Sequence, residues 1–444
     1  MVLACFAALL LTPLEARAQG ISFIRDAEIE GTIRSYMTPV FRAAGLEPSA
    51  VRVYLVKNNE LNAFVTGGQN VFVNTGLLLR TENSSQVIGV LAHETGHIAN
   101  GDLSRVQDAI SGVSAQTIVG MVLGTAAAIA GGRPDLGAAI LGGSQRMGLN
   151  SILHYTQTQE YSADLAAVRY LERAKMSAKG LLEFLQILGD QDLVAHSRQV
   201  DYARTHPLGR DRVDALQIQI KKALYSDAAI PQDFVNAHLR MKAKLTGFLN
   251  PFVTALRRYP ETNKSLAGRY ARAIAYYRRP DLNKALPLID SLIAEEPQNP
   301  YFHELKGQML FENSRAGEAL GPFETAVHLA PTSALLRLGL ASVLIELDAA
   351  KHDPALLNSA IVNLRAAIAK EPGSPFSWRQ MAIAYGRNGD LPMSSLALAE
   401  EALLKRKKTD ARFYAKRAEK GLPPNSSYRL QAQDILRAIE KLKK

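Results

Sequence analysis

The sequence predicts a mainly α-helical protein, with a small β-sheet near the N-terminus and a solenoid of paired helices towards the C-terminus. Three observations carry this expectation. Apolar residues recur at helical spacing over long stretches, among them Asp26 to Ala44 and Gln157 to Leu188. β-Branched runs separated by turn residues gather between Val51 and Asn74. Pro297 and Pro331 stand 34 residues apart, the period of tetratricopeptide helix pairs.

Composition sets the frame for these elements. The chain has 444 residues, 47% of them hydrophobic and 21% charged, which describes a globular protein with room for two cores. Phe6 to Leu14 form a short apolar core, and Ala16-Arg17-Ala18 is an A-x-A cleavage site, so residues 1–18 read as a secretory signal peptide. Val2-Leu3-Ala4-Cys5 also resembles a lipoprotein box, but no signal core stands ahead of it. Cys5 is the only cysteine, so thiol usage neither requires nor excludes an oxidising compartment once the signal is removed. Export places the mature chain in the periplasm of a Gram-negative cell and argues against nucleic acid as a partner. The net charge of +10 then suits anionic membrane surfaces, acidic substrates or simply solvated helix faces such as Lys405 to Lys408.

The elements follow in order. Asp26 to about Ala44 is an opening helix, and Val51 to Val56 is a strand. Ala63 to Asn74 reads as a hairpin turning at Gly67-Gly68, whose edge can hold an extended peptide by main-chain hydrogen bonds. Asn83-Ser84-Ser85 caps the next helix. Ser111 to Gly131 carries no charge, and a weaker apolar segment runs from Leu136 to Leu149. For this 111–149 insertion three readings stand: helices that are buried or cover a site, contact with a membrane surface, or a membrane span. Helical periodicity returns from Gln157 to Leu188, from Asp211 to Tyr225, and from about Ile230 to Tyr259. The expected division is a first domain over 19–228, a helical linker over 229–262 and repeats over 263–444.

Within the repeats, one unit places Gly307, Ala319, Phe323, Ala326 and Pro331 at the small and large packing positions. The preceding unit supplies Tyr276, Ala285 and Pro297, and the following one Ala360, Leu364, Ala367 and Pro372, with its turn lengthened around Asp348–Ala355. A fourth begins with Trp378, Ala382 and Tyr385 and then degrades, as a terminal cap does.

The chemistry is concentrated in His93-Glu94-Thr95-Gly96-His97, an H-E-x-x-H pattern inside an apolar helical run. Residues four apart on a helix share a face, so both imidazoles reach one metal ion, while Glu94, about 100° away, can take a proton from a metal-bound water. A catalytic zinc takes three protein ligands and keeps one position for water. Glu160 is the expected third ligand, in Glu160-Tyr161-Ser162-Ala163-Asp164. Asp164, one turn later, would accept a hydrogen bond from a ligand histidine and hold its tautomer. His154, near Glu160, has no assigned role.

H-E-x-x-H, a downstream E-x-x-x-D, and Thr205-His206-Pro207 followed by Arg212 resemble the metallopeptidase family of the CAAX prenyl endopeptidases and the heat-shock protease HtpX. The resemblance covers about Ser22 to Tyr225. It departs from the membrane-embedded members in lacking clear spanning helices between His97 and Glu160. It implies a zincin-type domain with one Zn2+ held by His93, His97 and Glu160, and Glu94 activating the water. His206 would then either stabilise the oxyanion or fill the open zinc position as an inhibitory fourth ligand, and Arg212 would orient Asp164 or a neighbouring carboxylate. An exported chain with C-terminal tetratricopeptide repeats further resembles the subgroup that acts in outer-membrane β-barrel assembly. That resemblance implies a periplasmic endopeptidase degrading unfolded or stalled envelope proteins, β-barrel precursors above all. Its repeats would dock on the outer-membrane assembly machinery, with membrane-surface contact through 111–149. A chaperone or scaffold with little constitutive proteolysis is the alternative.

Overall fold

The computed structural model describes residues 22–66, 68–102, 157–191, 206 and 209–441. The signal segment 1–18, the apolar 111–149 insertion and His154 lie outside the described residues. The chain forms two compact units: one holds Glu30–His238 with the residues up to Arg25, the other Asp26–Ile29 with Leu239–Lys444.

In the first unit a four-stranded sheet has the order β1 (Phe23–Ile24), β2 (Arg52–Val56), β4 (Asn70–Asn74), β3 (Ala63–Thr66). β3 and β4 form the antiparallel hairpin, with Phe64 opposite Phe72. The described residues of its turn, Gly68 (φ +81°) and Gln69 (φ +59°), are both left-handed. β4 also pairs with β2 in parallel, Tyr54 opposite Phe72, and β1 adds antiparallel to β2. Tyr54, Phe72 and Phe64 stack across one face at centroid spacings of 5.0 Å. By the two-residue alternation of strands, Leu55, Val71, Val73, Ala63 and Val65, all buried, occupy the other face.

Helix α1 covers Ala27–Ala43, α2 Thr75–Arg80 and α3 Ser84–Asn100. Asn83 caps α3 by accepting a hydrogen bond from the Gln86 N–H at 3.0 Å, satisfying a donor that has no partner within the helix. The periodic stretch from Gln157 is two helices, α4 (Gln157–Arg173) and α5 (Lys179–Gln191). Lys175 at φ +57° ends α4, and neither glycine nor proline marks the break in the sequence. α6 (Arg210–Lys222) packs on both. The bridging stretch is likewise broken into α7 (Gln232–Leu249) and α8 (Phe252–Arg258). Pro251, which has no N–H to give and restricts Asn250, separates them.

The second unit is an array of helix pairs: α9 (Leu266–Arg278) with α10 (Leu282–Glu295), α11 (Pro300–Glu312) with α12 (Ala316–Leu329), and α13 (Ala334–Lys351) with α14 (Pro354–Lys370). Two more pairs follow, α15 (Pro375–Arg387) with α16 (Leu391–Leu404), and α17 (Lys408–Gly421) with α18 (Ser427–Lys441). The fourth repeat therefore does not degrade: it is a complete pair, and a fifth pair stands beyond it. The extra residues of the third unit are helix, not turn. α13 and α14 have 18 and 17 residues where α11 and α12 have 13 and 14, and His352 at φ +50° turns directly into Asp353, which caps α14.

Packing in this array depends on small residues facing large ones. A Cβ on Gly307 would fall 2.6 Å from the Phe323 ring, and one on Gly339 would fall 2.5 Å from it, so α11 and α13 close on Phe323 only because both positions lack a side chain. The first turn of α1 belongs to this unit. Its Glu28 accepts from Arg240 Nε at 3.0 Å and from the Tyr270 hydroxyl at 2.7 Å, and Lys244 pairs with Asp26 at 2.9 Å. Glu28 and Lys244 are buried, Arg240 and Asp26 half-buried, and each charge is paired, the condition under which burial is tolerated. Among the described residues, no helix is long and apolar enough to cross a membrane.

Candidate metal centre

The centre is built on α3, which is buried from Ser84 to His97 apart from Ser85. Two glycines let neighbouring helices come close. A Cβ at Gly89 would meet the Leu181 backbone nitrogen at 2.5 Å, fixing α5 against α3. A Cβ at Gly96, the fourth residue of the H-E-x-x-H motif, would lie 2.9 Å from the Ala163 carbonyl oxygen on α4. Gly96 thus sets how near α4 can approach, and the approach carries Glu160 and Asp164 to the two histidines.

One ligand atom each from His93, His97, Glu160 and His206 lies within 4.8 Å of every other, and all four residues are fully buried. His93 Nε2 and His97 Nε2 are 3.1 Å apart. Glu160 Oε2 is 3.4 Å from His93 Nε2, and Glu160 Oε1 is 3.3 Å from His97 Nε2. His206 Nδ1 stands 2.9 Å from Glu160 Oε1 and 3.4 Å from His93 Nε2. Glu94 is also fully buried; among the described residues neither of its oxygens has a hydrogen-bond partner, and His206 Nε2 lies 3.4 Å from Oε1.

The outer ring nitrogens fix the tautomers. His93 Nδ1 donates to Asp164 Oδ1 at 2.8 Å, and His97 Nδ1 donates to Asp102 Oδ2 at 2.9 Å. With those protons placed, both Nε2 atoms turn lone pairs into the same small space as a carboxylate. Two Nε2 lone pairs and a carboxylate converging on one space repel one another, and a cation among them removes the repulsion. The residues therefore fit a metal ion, and nitrogen and oxygen donors of this kind suit a divalent transition metal.

The same demand appears in the ionisation. Burial opposes a charge on His93, but the carboxylates of Glu160 and Asp164 outweigh it and the metal-free ring is pushed up to about 10. Burial likewise works against the Glu160 carboxylate, yet His206 and His93 hold it well below the ordinary value. Asp164 is lowered too, because Arg212 and His93 overcome its burial. Arg212, from the first turn of α6, reaches Asp164 through Nε at 2.5 Å and through its terminal nitrogen at 3.0 Å, and Glu160 Oε2 at 2.6 Å.

The structure thus brings His93, Glu94, His97, Glu160, Asp164, His206 and Arg212 into one buried cluster. It adds Asp102, which helical spacing does not reveal because the residue lies beyond the end of α3. The readable signal is Gly101, a C-cap at φ +69° whose N–H reaches His97 O and Ile98 O, followed directly by an acid.

Residues 25–220 match the model of peptidase family M48. The chain is 27% identical over 361 residues to a beta-barrel assembly-enhancing protease of Yersinia pestis, covering 81% of this chain and 72% of that protein. It is 26% identical to the protein of the same name from Escherichia coli, covering 66% of this chain and 60% of the relative's length. A protease HtpX homolog of Bacillus licheniformis is 47% identical over 66 residues, 14% of this chain and 22% of that one. Among solved structures, a thermophilic TPR protein of Thermus thermophilus aligns at 18% identity and a TM-score of 0.26, covering 39% of this chain and 99% of its own.

Proposed function

From a chain that carries a peptidase domain of family M48 over residues 25–220 and is thereby a metalloprotease, we propose a zinc endopeptidase of the periplasm that acts on unfolded or stalled envelope proteins. The observation that carries this reading is the convergence of four buried ligand atoms within 4.8 Å, with the buried Glu94 carboxylate beside them. His93, His97 and Glu160 would hold one zinc ion. Bound there, zinc would polarise a scissile carbonyl and acidify a water. Glu94 takes the proton of the attacking water and delivers it to the leaving amine. Asp164 holds the His93 ring, and Arg212 holds Asp164 and Glu160 in place.

His206 has two roles open to it chemically. As a protonated donor it would steady the oxyanion; as a neutral imidazole it would serve as a further ligand to the zinc. Its Nδ1 at 2.9 Å from Glu160 and 3.4 Å from His93 favours the second role in this conformation. Complete burial of Glu94 points the same way, because a substrate carbonyl needs access to it. Proteolysis held in check also accommodates the alternative reading, a chaperone or scaffold that cleaves only on demand.

The names of the relatives support β-barrel precursors of the outer membrane as substrates and the assembly machinery as the docking partner of the repeats, with 111–149 offering contact to the membrane surface. In an envelope extract, Glu94→Gln is expected to retain zinc, lose cleavage of an unfolded protein, and still capture substrate. Removing residues 263–444 is expected to abolish capture. Cleavage by the Glu94→Gln protein overturns the catalytic assignment, and capture without 263–444 overturns the docking role.

A further inference from the structure

We propose that Asp102 is the positioning residue of His97, and that the C-terminal cap of α3 puts it there. The inference rests on the metal-site reading of the cluster. α3 ends at Asn100, and Gly101 takes the left-handed conformation at φ +69° that a residue with a side chain adopts only at a cost. The Gly101 N–H closes back on the His97 and Ile98 carbonyls. The reversal returns the next residue to the helix it has just left, and Asp102 Oδ2 accepts from His97 Nδ1 at 2.9 Å. One short segment thus grips His97 twice, by its main-chain carbonyl and by its ring.

Asp102 is 2% exposed, so its carboxylate is not placed there by solvent. Among the described residues no cation other than the His97 ring stands against it. Asp164, the counterpart on His93, divides its oxygens between His93 and Arg212. Among the described residues the two histidines are therefore held differently: His93 by a carboxylate tied to an arginine, His97 by a carboxylate that faces no other cation. The consequence for His97 is a fixed ring plane and a fixed tautomer, with Nε2 aimed at His93 and Glu160. Without Asp102 the ring is free to turn over and present the protonated nitrogen to the centre.

The test is metal binding to the full chain, read by competition of zinc with a chromophoric chelator and by the visible spectrum of the cobalt-substituted protein. Asp102→Ala is expected to weaken zinc roughly 10- to 100-fold and to change the cobalt bands. Asp102→Glu, which restores an acceptor, is expected to recover part of the loss. Asp102→Asn keeps the size of the side chain and gives an intermediate loss if the Ala variant folds poorly. Zinc binding by both Asp102→Ala and Asp102→Asn within about 2-fold of the parent, far under the loss expected of such a partner, overturns the proposal. His97→Ala is the control: if it too leaves zinc binding unchanged, the metal-site reading itself fails. If it alone abolishes binding, only the role of Asp102 does.

Discussion

Positive charge is what the buried side chains of the centre demand. Two imidazole lone pairs and a carboxylate face one another across 3.1–3.4 Å, and either a proton or a metal must sit among them. The metal-free His93, pushed up to about 10 from 6.5, shows the proton taking that place. The sign of the pH dependence follows. The charged ring stabilises the metal-free fold fully below 6.5, and that contribution is lost as pH rises through 10. Metal must displace the same proton, so apparent zinc affinity is expected to rise with pH, roughly tenfold per unit for each proton released. Chelator competition between pH 6.5 and 9 measures this, and a flat profile contradicts it. At this scale the sequence was most readable where ligands sit on helices: His93 and His97 share a face by spacing, and Glu160 and Asp164 repeat the relation on α4. Asp102 escaped because it depends on the left-handed turn at Gly101, which periodicity does not encode.

Among the elements, close packing decides whether those ligands meet. α3 and α4 approach until only a hydrogen fits at Gly96. Gly96→Ala is expected to push the helices apart, costing about 1–3 kcal/mol of stability and weakening zinc binding without touching a ligand. Denaturant unfolding and metal titration check the two halves of that expectation; an unchanged zinc affinity shows that the spacing has slack. Helix existence was legible from apolar spacing, but helix ends were not always so. Pro251 announces the break between α7 and α8, whereas Lys175 breaks α4 from α5 with no such residue to mark it. The parallel pairing of β2 with β4 and the two-residue β1 also lay beyond the sequence reading, because they join residues distant in the chain. In the repeats, the inserted residues of the third unit extended α13 and α14, since Asp353 and Pro354 start a helix as readily as they fill a turn.

For the whole molecule, a catalytic helix surrounded by its ligands is one unit and an array of helix pairs is the other. The array was legible by its 34-residue period, which the starts of α9, α11 and α13 at Leu266, Pro300 and Ala334 keep without deviation. Its last pair was not, because no proline stands just ahead of α17 as Pro297, Pro331 and Pro372 stand ahead of α11, α13 and α15. A peptidase domain and a repeat array share one chain, and Glu94 is wholly buried within the first. All of this depends on the cluster being a metal site. The most direct test is the metal content of the purified full-length protein and of Glu160→Gln, measured by mass spectrometry of the elements after dialysis. The account predicts one zinc per chain in the parent and a large loss in Glu160→Gln; equal zinc in both, or none in the parent after zinc is supplied, contradicts it.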